Sequence, residues 1–514
     1  MANPTKDNLF VLISSLSKSE KRQFKLYVNR LGDNEDAKFL QLFTLLDKMK
    51  SYDEDEILKS KIVTKQQLSN LKAHLYKQIL ISLRMNPINQ NIRIQIREQL
   101  DFATILYQKG LYKQSLKILD KAKGIALEHD EKNIAFEIVE LEKIIESQYI
   151  TRSISTRADE LTIEAMLLSK HNVIASKLSN LSLQLYSIML KSGYAKSDAE
   201  MQEITTYFNN KMPKYQYENL GFREKLWLYK AHLWYSFLIQ DFLSCYKYSS
   251  KWVALFEENP QMISLNPVWY IKGNSYLLEC LYLIKHKSYM KEVLERLKQT
   301  IALDSFPKND NLSSLYFLCY YNSKFNLHFL EGDFEGGLYL VDEVIKNIKK
   351  NEDRIDEHHI MVFYYKIACL YFGTGNHKKC IEYLKKIIEN KNLTMREDLL
   401  CFARVLSVIA HFDAGMDYRL EAQLKSTYDF LIKMNELHEV QREMIKFLKN
   451  LETIYPNQLK AEFIKLHERL LIYENHPYEK RAFLYLDLIS WLESKIQNKP
   501  VALIIQEKAK KLVR

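Results

Sequence analysis

The sequence predicts an all-α protein of stacked helix pairs, and three observations carry that expectation. Glycine and proline are scarce, at 12 and 9 in 514 residues, so the tight turns that sheets and catalytic loops need are largely missing. The breaks that do occur fall at Gly110, Thr151, Gly193, Asp241, Lys287, Gly332, Gly375, Gly415 and Pro456, each about 40 to 48 residues after the last. Between breaks the apolar residues keep helical spacing. Around Gly375, Tyr364, Ile367, Ala368 and Tyr371 share a face before the turn, and Ile381, Leu384, Ile387 and Ile388 share one after it. A helix with one apolar stripe cannot bury it alone, so such pairs stack into a continuous core.

Residues 1–97 are expected to form a helical module outside the repeat. Ser17-Lys18-Ser19-Glu20 is a capping box that opens a helix through Tyr27 and Val28. Phe39, Leu42, Phe43, Leu45 and Leu46 mark a second helix, and Asp53-Glu54-Asp55-Glu56 places acids at the positive end of a third. Thr64 and Gln67 are expected to cap a fourth, running to about Met85 before Pro87. Residues 98–475 carry the repeats, and 476–514 are expected to form capping helices.

The segment YYKIACLYFGTGNHKKCIEYLKKII, Tyr364 to Ile388, resembles the tetratricopeptide repeat. Ala368 stands at the small position of the first helix, Tyr371 at its aromatic position, Gly375-Asn376-His377 at the turn and Cys380 at the small position of the second helix. Ala103, Gly110, Tyr112, Ser115 and Ala122 repeat the pattern, as do Gly332, Phe334 and Gly337. The resemblance implies a right-handed α-solenoid of about nine hairpins, with helices longer than the family's shorter period would need. SLSKSEKRQFKLY near the start and FLYLDLISWLESKI near the end resemble an uncharacterised family of cytoplasmic helical-repeat proteins common in the Bacteroidota. That second resemblance implies no activity.

Composition narrows the function classes. Apolar residues make up 47% and charged residues 27%, an ordinary globular balance, and the net charge of +10 is mild for this length. No stretch approaches the length of a membrane span, and Leu9 to Ile13 is too short for a signal-peptide core. Six cysteines without CxxC or metal-ligand spacing fit small buried residues in a reducing cytoplasm.

A catalytic centre, a cofactor site and a metal site are not expected. Gly373-Thr374-Gly375 lacks the third glycine of a phosphate loop, and both glycines fit a helical hairpin turn. His358 and His359 are neighbours that point apart on a helix, and neither His438-Glu439 nor His467-Glu468 has a second histidine in register. Cys245, Cys280 and Cys380 fall at packing positions.

Two features could bind a partner. From Ile57 to Arg97 there are eight basic residues and no acid: Lys59, Lys61, Lys65, Lys72, Lys77, Arg84, Arg93 and Arg97. They could face nucleic-acid phosphates or an acidic protein, or be a solvated face paired with acids elsewhere in the fold. A sharper form of this reading is a helix-turn-helix of Asp53–Lys61 and Thr64–Met85, with Leu68, Leu71, Leu75 and Ile79 inward and Gln66, Asn70 and Lys77 outward. The second feature is aromatic: runs such as Tyr316 to Phe325 and Trp227 to Phe237 are wide enough for Tyr320, Tyr321, Tyr364 and Tyr365 to line a groove. Repeat proteins that clamp a free C-terminus use Asn and Lys/Arg on consecutive first helices; only Asn326 matches, while Cys369 and Thr104 stand at the corresponding sites. The expected function is therefore a non-catalytic scaffold that binds a protein partner through the groove or the N-terminal module. The alternative is a nucleic-acid-associated regulator using residues 57–97.

Overall fold

A computed structural model describes residues 7–30, 35–86, 91–148, 156–351, 354–390, 397–415, 417–433, 439–450, 457–479, 483 and 487–511. Among them every regular element is helical and there is no strand. The expected turns near Thr151 and Pro456 lie outside the described residues. The chain divides into two compact units, Met1–Ala165 and Met166–Arg514.

The first unit begins with α1 (Asn8–Ser15), α2 (Lys18–Val28), α3 (Glu35–Lys48), α4 (Glu54–Lys59) and α5 (Lys65–Arg84). The short α1 was not foreseen. Asp7 caps it by accepting from Phe10 N, and its Leu9 and Ile13 are buried. Ser17 and Glu20 close the expected capping box on α2. Thr64 precedes α5 as expected, but its side chain makes no capping bond. Phe24, Phe39, Phe43, Ile57, Leu75 and Ile79 join one core, with Phe24 and Phe43 rings 4.7 Å apart. Burying side chains of this size contributes on the order of 1.5–3 kcal/mol each.

Then follow α6 (Ile92–Gln108), α7 (Tyr112–Glu128), α8 (Lys132–Gln148) and the start of α9 (Arg157–Ser192). Ser115 Oγ donates to the Ala103 carbonyl at 2.8 Å, holding α7 close to α6. Behind them Lys123 bonds Glu142 at 2.7 Å and Glu164 at 2.9 Å, and Arg157 reaches Glu142 at 3.3 Å. Burial pushes the Glu142 carboxyl up, and Lys123 and Arg157 offset it. Two cations are what keep this fully buried carboxylate affordable.

In the second unit α9 continues to Ser192 and is followed by α10 (Asp198–Lys211), α11 (Phe222–Leu238), α12 (Phe242–Glu257), α13 (Gln261–Leu265), α14 (Pro267–Leu283) and α15 (Lys287–Ala302). Next come α16 (Asp310–Glu331), α17 (Phe334–Leu338), α18 (Val341–Lys350), α19 (Glu357–Gly373) and α20 (His377–Ile388). The chain ends with α21 (Glu397–Asp413), α22 (Asp417–Lys433), α23 (Glu439–Asn450), α24 (Leu459–Glu474), α25 (Leu488–Gln497) and α26 (Val501–Lys511). The 36 residues of α9 form one unbroken helix, where regular hairpins would place two. The helix after Gly332 is instead split into α17 and α18.

One turn recurs at the hairpins. A residue with positive φ ends the first helix, at Gly110, Gln240, Lys285, Gly332 and Gly375. The next residue's N–H then reaches back five positions, as in Asp241 N to Ser236 O at 2.9 Å and Asn376 N to Tyr371 O at 2.9 Å. At four of these five turns that same residue caps the following helix: Asp241 accepts from Ser244 N, His286 from Tyr289 N, Asp333 from Gly336 N and Asn376 from Lys379 N, whereas Leu111 makes no side-chain cap. One dipeptide thus stops one helix and starts the next. Glycine is not obligatory there, since Gln240 and Lys285 hold the left-handed conformation.

Gly373 has a different role from Gly375. It lies inside α19, where a Cβ would sit 2.2 Å from Phe334 Cδ1, so it is small because a ring rests on it.

The end of the chain returns to earlier helices of this unit. Gln506 Nε2 donates to the Gly332 carbonyl at 3.0 Å, which sets α26 beside α16. Trp491 Nε1 donates to Asp413 at 3.0 Å, and Lys495 pairs with the same carboxylate at 2.7 Å. Among the described residues no helix is long and apolar enough to cross a membrane.

Candidate functional site

The returning C-terminal helices and one face of α14, α16 and α19 enclose a cavity of about 410 Å³ in the second unit. Its walls are largely aromatic and aliphatic, with Phe242, Tyr282, Phe329, Phe334 and Phe372 on one side and Phe483, Val501 and Ile505 on the other. Three polar side chains from successive helices converge in it. Asn326 donates from Nδ2 to Glu279 at 3.1 Å and accepts from Lys366 Nζ at 2.7 Å, and Lys366 also donates to the Asn322 carbonyl at 3.2 Å.

These groups differ in exposure. Asn326 is buried, whereas Glu279 is exposed at the rim with Lys285, Glu474 and Asn475. Burial pushes the Lys366 amine below its usual range, and the Glu279 carboxylate partly restores it. Burial likewise pushes the Cys369 thiol up to about 12, which keeps it protonated and a poor nucleophile. An apolar cavity with a few convergent polar groups suits an inserted side chain or ligand, oriented by a donor at Lys366 and an acceptor at Glu279.

Of the four tyrosines expected in a groove, only Tyr365 lines this cavity. Tyr364 leaves on another face of α19 and packs on Tyr383, with Lys386 5.4 Å above its ring. Tyr320 stands against Tyr316 and Tyr321, and Tyr321 also packs on Phe317. Side chains one apart on a helix diverge, so a run of aromatics cannot line one groove.

The sequence reading missed Glu279 and Lys366 and set Asn326 aside for want of a matching neighbour. Their signal was the spacing of the sequence breaks, about 40 to 48 residues: the partners lie 47 and 40 residues from Asn326. The cation that meets Asn326 comes from position 366, one helical turn before Cys369.

The eight basic residues of 57–97 separate into two groups. Lys72 pairs with Asp7 and donates to Tyr52 at 2.9 Å, and these bonds raise its affinity for the proton against the opposing effect of burial. Arg84 pairs with Asp101 at 3.1 Å, Arg93 with Glu131 at 3.0 Å and Arg97 with Glu137 at 3.7 Å. Lys59, Lys61, Lys65 and Lys77 are exposed. On α5, Leu68, Leu75 and Ile79 are buried and Leu71 is half-buried, while Gln66, Asn70 and Lys77 face out beside exposed Tyr76 and Leu80.

All six cysteines are buried and none is in a disulfide. Among the described residues no group of three or more His, Cys, Asp or Glu side chains could hold a metal ion. Compared with known proteins, the chain matches no family model, no curated protein and no solved structure.

Proposed function

We propose that this chain is a non-catalytic, cytoplasmic interaction scaffold of tetratricopeptide-like hairpins, stacked as an α-solenoid, that binds a protein partner. The observation that carries the reading is the cavity lined by α14, α16 and α19. An apolar anchor from a partner segment fits its aromatic walls, and the segment's polar groups meet Lys366 and Glu279. Affinity capture from host lysate, split into nuclease-treated and untreated halves, tests it. A partner that survives nuclease and is lost with Glu279→Arg supports the scaffold. Capture of nucleic acid alone, or a partner indifferent to Glu279→Arg, contradicts it.

A second reading rests on the outward face of α4 and α5. Lys59, Lys61, Lys65 and Lys77 are exposed on one helical pair together with Gln66 and Asn70, an arrangement able to meet phosphates and base edges. This reading requires nucleic-acid binding that falls steeply with salt and disappears when Lys65 and Lys77 become Glu. Lys72 is excluded from that test because Asp7 already holds it.

A further inference from the structure

A second cluster in the Met166–Arg514 unit lies outside the cavity. Trp227 and Lys230 stand one turn apart on α11, and Trp269 and Lys272 one turn apart on α14. The two indoles meet edge to face with centroids 5.0 Å apart. Lys230 Nζ lies 4.8 Å from the Trp227 centroid and 4.7 Å from that of Trp269, and Lys272 Nζ lies 5.8 Å from Trp269. Two ammonium groups therefore share one indole.

Both lysines are half-buried, and among the described residues neither has a hydrogen-bond acceptor or a carboxylate partner. Lys225 and Lys324 are half-buried against a ring in the same way, but among the described residues only Trp269 is met by two lysines. Aromatic faces attract a cation, but they accept none of an ammonium's three N–H donors. Burial, and then the neighbouring Lys272, push the Lys230 amine down to about 8, as expected for a charge held without a counter-ion.

We propose that Lys230 and Lys272, walled by Trp227 and Trp269, form a binding site for the dianionic head of a small phosphomonoester. Two lysine charges match two phosphate charges, and lysine suits phosphate as a point charge where the forked arginine would impose planar geometry. The organic part of such an ester meets the half-buried rings of Trp227 and Trp269, since Trp252 and Trp234 behind them are buried in the core. An aromatic-bodied ester is therefore the best small probe.

Phenyl phosphate is titrated at constant ionic strength while tryptophan fluorescence is followed, with benzoate and chloride as parallel arms. The site requires a saturable change with phenyl phosphate, at least tenfold weaker in both Lys230→Met and Lys272→Met. A response equal to that of benzoate or chloride, or unchanged in both variants, overturns it. A second measurement needs no variant: acetylation of Lys230 by a limiting acetylating ester, mapped by mass spectrometry on the wild-type chain. Saturating phenyl phosphate must slow it severalfold, and an unchanged rate overturns the proposal even where the variants fail to fold.

Discussion

Lys366 on α19 donates to Asn326 on α16 at 2.7 Å, and Asn326 in turn donates to Glu279 on α14 at 3.1 Å. One buried amide thus joins three helices through partners 47 and 40 residues away in the sequence. Asn326→Leu keeps the volume but strips Lys366 of its nearest acceptor. We expect a loss of about 1–3 kcal/mol in urea unfolding. The double variant with Lys366→Met should lose less than the two single losses added together, because it no longer buries a deprived cation.

Phe334 lies against the bare Cα of Gly373, and Gly373→Ala would force a methyl to within 2.2 Å of the ring. Thermal unfolding should report a loss of about 1–3 kcal/mol. Adding Phe334→Leu should recover part of it, which separates packing from helix propensity.

Gly375 has open space beside it but a φ of +77°. Gly375→Ala should therefore cost about 1–2 kcal/mol through the backbone alone. At the equivalent turn Lys285 holds φ 58°. Lys285→Gly should accordingly be neutral or stabilising by up to about 1 kcal/mol.

These turns show how far the sequence could be read. Gly110, Gly332, Gly375 and Gly415 mark hairpins because positive φ selects glycine. The turns whose positive φ falls at Gln240 and Lys285 are expected from the sequence at Asp241 and Lys287, one and two residues later, because no glycine marks them. The unbroken α9 was not legible, since hairpin periodicity and a single long helix share the same apolar spacing. Nor was the cavity, because it exists only where α24 to α26 return to helices more than a hundred residues earlier. Half of the basic stretch was misleading for a similar reason: the acids that pair with Lys72, Arg84, Arg93 and Arg97 lie outside it.

His232 stacks on Tyr248 with centroids 4.3 Å apart. Burial, with Lys247 and Lys251 nearby, pushes its ring from 6.5 down to about 4. The folded state thus holds the neutral ring where the unfolded chain takes a proton. Stability from this group is complete above pH 6.5 and falls as pH drops towards 4, by up to about 3 kcal/mol. Urea midpoints for His232→Gln should show a shallower loss over that window than the wild-type chain.

The claim that a protein segment enters the cavity is tested most directly by placing a photo-crosslinking amino acid at position 279 and, as a control, at position 339. Glu279 stands at the cavity rim, whereas Tyr339 is 87% exposed and lines no part of the cavity. Illumination in cells should give a discrete, nuclease-resistant protein adduct from position 279 and not from 339. Identical adducts from both positions, or none from 279, would contradict a partner bound there.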